Sequence, residues 1–516
     1  FDETLYLRDD LKWIRTSYLM ILQMAWDREF HDRFTGTEGL ENYLDEYSRL
    51  FGHVDVYGIW PTWPRLGLDD RNQWDLYRDL PGGTASLRRV SRETRSNGCR
   101  FFIAYNPWDK STRDEDHLQG MAQIIAETEA DGVVLDTEGR SSAELQQAAD
   151  SVRPGVVMYS EGMPVVKDMP GIVAARVHNA LFLSPELNLN KLIRPDFAIF
   201  RVADVGEDVL HREISVAFFN GYGTELNMFR PGGRGEELRN DLKYLSQTTY
   251  ILRRNSDAFT GGNWTPLVSS GADRLYVNSW NAGEKNIFTV LNMDHRGYSG
   301  PLFSPGDTAG KHLVSLFRHV ELNPSVINNT LMVPVETPGW SQNFNGTRRE
   351  SSIDCIALLP KLITAEIRGS KIYISSTLEG TLLIYRGEPG YDNKPLNINA
   401  PADTLLDSDA LFGIAGEKIV IELVDNDGIL LDERVVAPEN KRPWLVSEPV
   451  RTAPAAEIPE GMVLIPSATT EYTLTATDEF VPYPASGTMI TATPDSFLID
   501  KYPVTNQEYL QFIRAS

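Results

Sequence analysis

Two acidic side chains each close a short apolar run: Asp136 ends GVVLD, and Glu161 follows VVMYS. Carboxyl groups delivered by neighbouring strand ends can bracket one polar bond. One attacks, or activates a water, while the other protonates the departing oxygen, which is the requirement for breaking a glycosidic bond. Asp136 is expected to be the nucleophile, because the apolar run before it holds it rigidly and loop amides can stabilise its ionised form. Glu161 is expected to be the acid/base, with a pKa raised by aromatic or carboxylate neighbours. Glu138, in the same VVLDTEG segment as Asp136, is the substitute for either role. A lone Asp after a strand caps a helix or binds loop amides about as often, so the inference rests on two consecutive strand ends taken together.

Other polar groups fall where they could hold a substrate. Asp27 follows the first apolar run, Asp109 the third, and Arg201 and Asp204 the seventh, while Glu225 lies in the eighth. His178 in ARVHNAL is a candidate contact or a packed barrel histidine. Trp26, Trp60, Trp63 and Trp108 sit at or just after the first three runs, where flat rings could stack on sugar faces. A single Trp is more commonly packed in a core, but PTWPRLGLDD and NPWDKSTRDED are too polar and Pro-broken to be core. No two His stand at metal-binding spacing, so no metal is expected, and no cofactor either. VDNDGILLDE lacks the ligand spacing of a calcium loop and reads as a hairpin turn through Asn426, Asp427 and Gly428.

The elements that must position these groups follow a βα rhythm. Strands are expected over 17–26, 54–60, 100–105, 132–136, 156–160, 174–182, 196–202 and 224–229, with helices over 40–51, 87–96, 117–130, 143–152, 210–219 and 236–253. Eight steps in about 255 residues match the usual length of a (β/α)8 barrel, whose reactive side chains gather at the C-terminal strand ends. A doubly wound sheet is the alternative, but no Gly-rich dinucleotide fingerprint follows any strand. Beyond residue 256 the pattern changes to short alternating strands such as RLYVNSW and NIFTVLNM. The expected organisation is therefore a TIM-type barrel over 1–256, a β-sandwich over 257–360 and a second, small Ig-like sandwich over 361–436. A Pro- and Ala-rich linker at 437–458 and an α+β segment at 459–516 follow.

The 516 residues exceed what one core supports, and 41% apolar with 23% charged residues is ordinary globular composition. A net charge of -23 argues against nucleic acid and anionic membrane surfaces as partners, since both demand clustered cations. The expected partner is a carbohydrate. Only Cys99 and Cys355 occur, in different expected domains, so no disulfide framework is expected. No apolar run is long enough to span a membrane. The chain opens at Phe1 without a signal-type start and stops mid-pattern at Ser516, and it is expected to be a mature or trimmed fragment of an extracytoplasmic (periplasmic or secreted) protein.

The stretch from Ser17 to Asp257, with LQMAWD, VVLDTEG, MYSEG and AFFNGYGTELNMF, resembles retaining glycoside hydrolases of the α-amylase and α-galactosidase type. The resemblance implies an Asp nucleophile after strand four and, in the amylase-like members, a Glu acid/base after strand five, which map onto Asp136 and Glu161. The Arg that precedes the amylase-like nucleophile by two residues is Val134 here. Near the C-terminus, PEGMVLIPS and FLIDKYPVTNQEYLQF resemble the opening of the formylglycine-generating, sulfatase-modifying domain family. Its catalytic cysteines have no counterpart in this sequence. Thr505 or Asn506 is expected to cap the helix there, with Tyr509 and Phe512 facing inward. Three readings follow: a retaining glycosidase, a non-catalytic glycan-binding protein on a degenerate barrel, or a protein-modifying enzyme centred on the C-terminal segment.

Overall fold

The computed structural model describes residues 1–25, 27, 38–60, 72–107, 109, 116–140, 142–178, 185, 189–206, 210–229, 236–339, 351–368, 371–407, 418–437, 455–473 and 489–515. Trp26, Trp63 and Trp108 lie outside the described residues. Eight parallel strands close into a barrel: β1 (Leu19–Met24), β2 (Val56–Trp60), β3 (Arg100–Tyr105), β4 (Gly132–Leu135), β5 (Val157–Ser160), β6 (Ala174–Val177), β7 (Ala198–Asp204) and β8 (Gly223–Asn227). Closure is direct, with Met20 of β1 opposite Val56 on one side and Glu225 on the other. The strands read as continuous apolar runs because helices cover their outer face while side chains fill the interior.

The covering helices are α1 (Glu38–Phe51), α2 (Gln73–Asp79), α3 (Gly83–Ser96), α4 (His117–Thr128), α5 (Ala143–Asp150), α6 (Leu189–Ile193), α7 (Leu210–Phe219) and α8 (Glu236–Arg254), followed by α9 (Ser256–Thr260). The sequence pattern did not announce α2, which is only about two turns long. Its start is fixed by a capping box: the Asn72 side chain accepts the N–H groups of Trp74 and Asp75, and Asp75 accepts the Asn72 N–H.

Inside the barrel the Tyr159 ring meets Phe102 and Phe200 nearly edge-on, at centroid distances of 6.4 and 5.7 Å. Glycine makes room for these rings: a Cβ on Gly132 would stand 2.2 Å from the Phe102 ring. Gly132→Ala is therefore expected to destabilise the protein by about 1–3 kcal/mol, the usual cost of overpacking. Chemical denaturation checks this, and an unchanged midpoint would show that the ring can move aside.

The next layer is a six-stranded antiparallel sheet ordered β14 (Val320–Leu322), β13 (Lys311–Ser315), β17 (Ser352–Pro360), β11 (Lys285–Asn292), β10 (Leu275–Ala282) and β9 (Trp264–Thr265). Facing it is a three-stranded sheet of β12 (Tyr298–Phe303), β16 (Thr330–Thr337) and β15 (Ser325–Ile327). One face of the larger sheet packs Val277, Phe288 and Leu358 against Phe303 and Val333. Its other face packs Trp280, Ile287 and Cys355 with Phe218 and Phe219 of α7, Ile251 of α8 and Phe259 of α9. Burial on both faces explains the apolar stretch CIALL within β17.

The segment expected to form the second sandwich is a five-stranded antiparallel sheet. It contains β18 (Ile363–Arg368), β19 (Lys371–Arg386), β20 (Leu396–Asp407), β21 (Ile419–Val424) and β22 (Leu430–Val436). The long β19 is interrupted by a bulge between Ser376 and Gly380, which lets the sheet bend around a core of Ile363, Ile374, Leu382 and Ile421. Only glycine fits at the bend, since a Cβ on Gly380 would lie 2.5 Å from the Val424 carbonyl oxygen.

Polar contacts tie this sheet to its neighbours. Glu422 and Glu433 are cross-strand partners on β21 and β22, both buried. Glu422 accepts from Tyr250 of α8 at 2.7 Å and lies 3.4 Å from Arg254, while Glu433 lies 3.0 Å from His319 Nδ1. Burial alone would lower the His319 pKa, but pairing with Glu433, reinforced by Glu422 and Glu388, outweighs it and the value is raised. Burial also raises Glu422, against the opposing Arg254 charge. A raised histidine contributes stability below its unfolded pKa and loses it as pH rises through the folded one, and a raised carboxyl works in the same direction. Stability is thus expected to decline above about pH 6.5, the ordinary histidine value. Comparing denaturation curves for wild type and His319→Gln checks this; an identical pH dependence in both would exclude His319 as the source.

The chain separates into two compact units, Phe1–Glu439 and Asn440–Ser516. In the second, β23 (Met462–Ile465) pairs with β26 (Phe497–Asp500) and β24 (Thr470–Thr473) with β25 (Met489–Ala492), and α10 (Asn506–Ala515) follows. Thr505 caps α10: its hydroxyl accepts the Glu508 N–H at 3.3 Å, and the Glu508 carboxylate accepts the Thr505 N–H at 2.8 Å. Tyr509 and Phe512 are exposed rather than facing inward, at 58% and 64%. Cys99 and Cys355 are free and buried. Among the described residues no helix is long and apolar enough to cross a membrane, and no cluster of His, Cys, Asp and Glu could hold a metal.

Candidate active site

Strand direction brings Asp136 and Glu161 together. Each immediately follows the last residue of its strand, β4 or β5, and those last residues, Leu135 and Ser160, are register partners. Asp136 is held through its backbone N–H, which donates to the Tyr105 carbonyl at 2.8 Å, and through its carboxylate, which accepts from the Asn106 amide at 3.0 Å. The Glu161 N–H donates to the Leu135 carbonyl at 3.2 Å. The two side chains leave neighbouring strand ends, and Glu161 Oε2 accepts the N–H of Thr137, the residue next to Asp136.

Glu161 is surrounded by donors. Arg176 reaches its Oε1 at 2.8 Å, His178 Nε2 lies 3.4 Å from the same oxygen, and the Thr137 N–H donates to Oε2. Thr137 holds a φ of 55°, which is rare for a β-branched residue and aims its N–H at the pair. Arg176 itself is buried at the centre of the mouth. Its second terminal nitrogen donates to Glu225 Oε1 at 2.9 Å, the Tyr159 hydroxyl donates to Glu225 Oε2 at 2.5 Å, and the guanidinium lies 5.1 Å from the Trp60 ring centroid. Trp60 in turn meets Phe229 at 5.5 Å.

These surroundings divide the protonation of the pair. Burial, the hydrogen bond to Glu161 and its charge raise the Asp136 pKa to about 7. Burial would raise Glu161 too, but His178, Arg176 and the Thr137 N–H overcome it and hold the carboxyl well below the usual range. The tilt is opposite to the sequence expectation of an ionised Asp136 and a raised Glu161.

The remaining candidates separate. Asp109 is buried beside Asn106, donating its N–H to the Asn106 side chain at 3.3 Å. Glu138 faces Arg140 at 2.6 Å, and its carbonyl oxygen accepts from the Ser160 hydroxyl at 2.5 Å, so it ties the two loops together beside the pair. Asp204 accepts the Gly206 N–H at 2.7 Å at the end of β7, and Asp27 follows the end of β1, its N–H donating to the Met24 carbonyl at 2.9 Å. Arg201 does not join the site: alternation along β7 puts Phe200 inward, and Arg201 is turned to α7, where it pairs with Glu213. Three contributors escaped the sequence reading: Arg176, Tyr159 and Asn106. The signal for Arg176 was a charge in the middle of AARV, and for Tyr159 a polar tip inside VVMYS.

No family model and no curated protein matches the chain. Among solved structures it is similar to AmyP in complex with maltose, at 12% identity and a TM-score of 0.47, covering 67% of this chain and 97% of that one. It is also similar to a cyclomaltodextrinase at 11% identity and a TM-score of 0.45, covering 67% and 79%. A third is the α-amylase of Geobacillus thermoleovorans complexed with acarbose, at 11% and 0.45, covering 67% and 98%.

Because Asp136 holds its proton up to about pH 7, its contribution to stability falls as pH climbs from the ordinary carboxylate range towards that value. Glu161 contributes above the ordinary range and loses its share as pH drops. The expected infrared outcome is a protonated-carboxyl band that fades around pH 7 and is missing in Asp136→Asn. Complete ionisation by roughly pH 5 would contradict the shared proton.

Proposed function

We propose that the protein is a glycoside hydrolase that cleaves poly- or oligosaccharides by a retaining, two-carboxylate mechanism. The observation that carries this reading is the delivery of Asp136 and Glu161 by the register-paired ends of β4 and β5 at the C-terminal mouth of the barrel, where Glu161 accepts the N–H of Thr137, the residue next to Asp136. Inverting enzymes hold their carboxyls roughly 6.5–9.5 Å apart to admit a water, whereas retaining ones hold them about 5 Å apart. Acids that leave register-paired ends of neighbouring strands are in keeping with the closer arrangement. One member already carries a proton for a leaving oxygen and the other is a carboxylate, so both partners of a double displacement are in their working states.

The surroundings suit a sugar. Trp60 and Phe229 offer ring surface beside the pair. Asn227 keeps a buried side-chain oxygen with no hydrogen-bond partner among the described residues, ready to accept from a hydroxyl. An extracytoplasmic setting goes with this reading, since polymeric glycans are met outside the cell. For 459–516, the capped α10 and the β23–β26 ladder are in keeping with the opening of a sulfatase-modifying-like domain.

A second reading, glycan binding without turnover, draws on the ring surface of Trp60 and Phe229 alone. A panel of aryl glycosides and oligosaccharides separates the two. Hydrolysis with a retained anomeric configuration is expected, falling by roughly 10²–10⁴ in kcat/KM in both Asp136→Asn and Glu161→Gln. Undiminished turnover in either variant would remove that residue from the chemistry, and binding without turnover would select the second reading.

A further inference from the structure

The donors that converge on the two carboxyls are unequal, and we infer that Glu161 is the nucleophile and Asp136 the proton donor, with Arg176 the positioning residue that sets these roles. The inference rests on the glycosidase reading and reverses the assignment that the amylase-like resemblance implies.

Where two neighbouring carboxyls hold one proton between them, it stays on the member with less support for its charge. Glu161 has Arg176 at 2.8 Å, His178 at 3.4 Å and the Thr137 N–H. Asp136 accepts from the neutral Asn106 amide at 3.0 Å and feels the Arg176 charge and the Thr137 backbone, whereas Arg176 donates directly to Glu161. Arg176 cannot lose its charge and cannot readily turn away: Glu225, itself gripped by Tyr159 at 2.5 Å, holds the other arm of the guanidinium at 2.9 Å. The charged groups around Glu161 are thus Asp136 from the β4 loop, Arg176 and His178 from β6 and its end, and Glu225 of β8 through Arg176. The raised pKa of Asp136 agrees with this distribution.

The chemistry balances. A Glu161 carboxylate oxygen attacks the anomeric carbon as the glycosidic C–O bond breaks, and the departing oxygen takes the Asp136 proton. Water then attacks the same carbon, Asp136 accepts a proton from it, and Glu161 leaves as carboxylate with the sugar hydroxyl formed. Both carboxyls return to their starting states.

The test uses the full chain and an activated aryl glycoside of whichever sugar the wild type turns over. With azide present, Asp136→Ala is expected to form the glycosyl azide of retained configuration, and Glu161→Ala the inverted one. The opposite pairing would overturn the assignment while leaving the glycosidase reading intact. Mass spectrometry after reaction with a 2-deoxy-2-fluoro glycoside is expected to find the label on Glu161. A label on Asp136, or turnover with inversion and no label, would overturn it. If the wild type hydrolyses no glycan, the underlying reading fails with it. For Arg176, the milder Arg176→Lys keeps a charge but loses the two-armed bridge, and the acid limb of its kcat/KM profile is expected to move up by about one pH unit. An unmoved limb in a folded variant would remove Arg176 from its role.

Discussion

A guanidinium enclosed in a barrel is tolerable only if carboxylates meet it with good geometry, because an unpaired buried charge costs several kcal/mol. Arg176 meets that condition twice over, with Glu225 on one arm and Glu161 on the other. Much of the mouth follows from this arrangement. Glu225 needs Tyr159 for its second oxygen, Tyr159 needs the perpendicular rings of Phe102 and Phe200 to hold it upright, and those rings need glycine opposite them. The charge placed on Glu161 then leaves the proton to Asp136.

The order of construction runs outward from there. Strand ends put the two acids side by side, and the loops between fix them: Asn106 on Asp136, Thr137 on Glu161, Glu138 bridging to Ser160. Thr137 accepts an uncomfortable backbone angle to do so. Strain of this kind persists only where neighbouring contacts over-determine it, and here the neighbours are the carboxyl pair itself.

The barrel was legible because its signal is periodic: apolar runs closed on both faces, separated by amphipathic stretches, repeated eight times. The strand-end acids were legible for the same reason, since a run such as GVVLD announces both the strand and the residue that leaves it. What could not be read was facing. Arg176 and Arg201 both interrupt apolar strands, and only the register of β6 and β7 decides that the first points into the barrel and the second out to Glu213. The bend of β19 was hidden too, because one glycine and a bulge turn what looked like separate strands into one sheet folded on itself. α2 went unnoticed because so short a helix is defined by its cap more than by its periodicity.

The six-stranded sheet has two apolar faces, and one of them rests on Phe218, Phe219, Ile251 and Phe259 of the barrel's own helices. Cutting the chain after α9 would leave those side chains open to water and strip the sheet of half its lining. The unit of any recombinant expression is therefore the barrel together with its β neighbour, because neither surface is finished without the other.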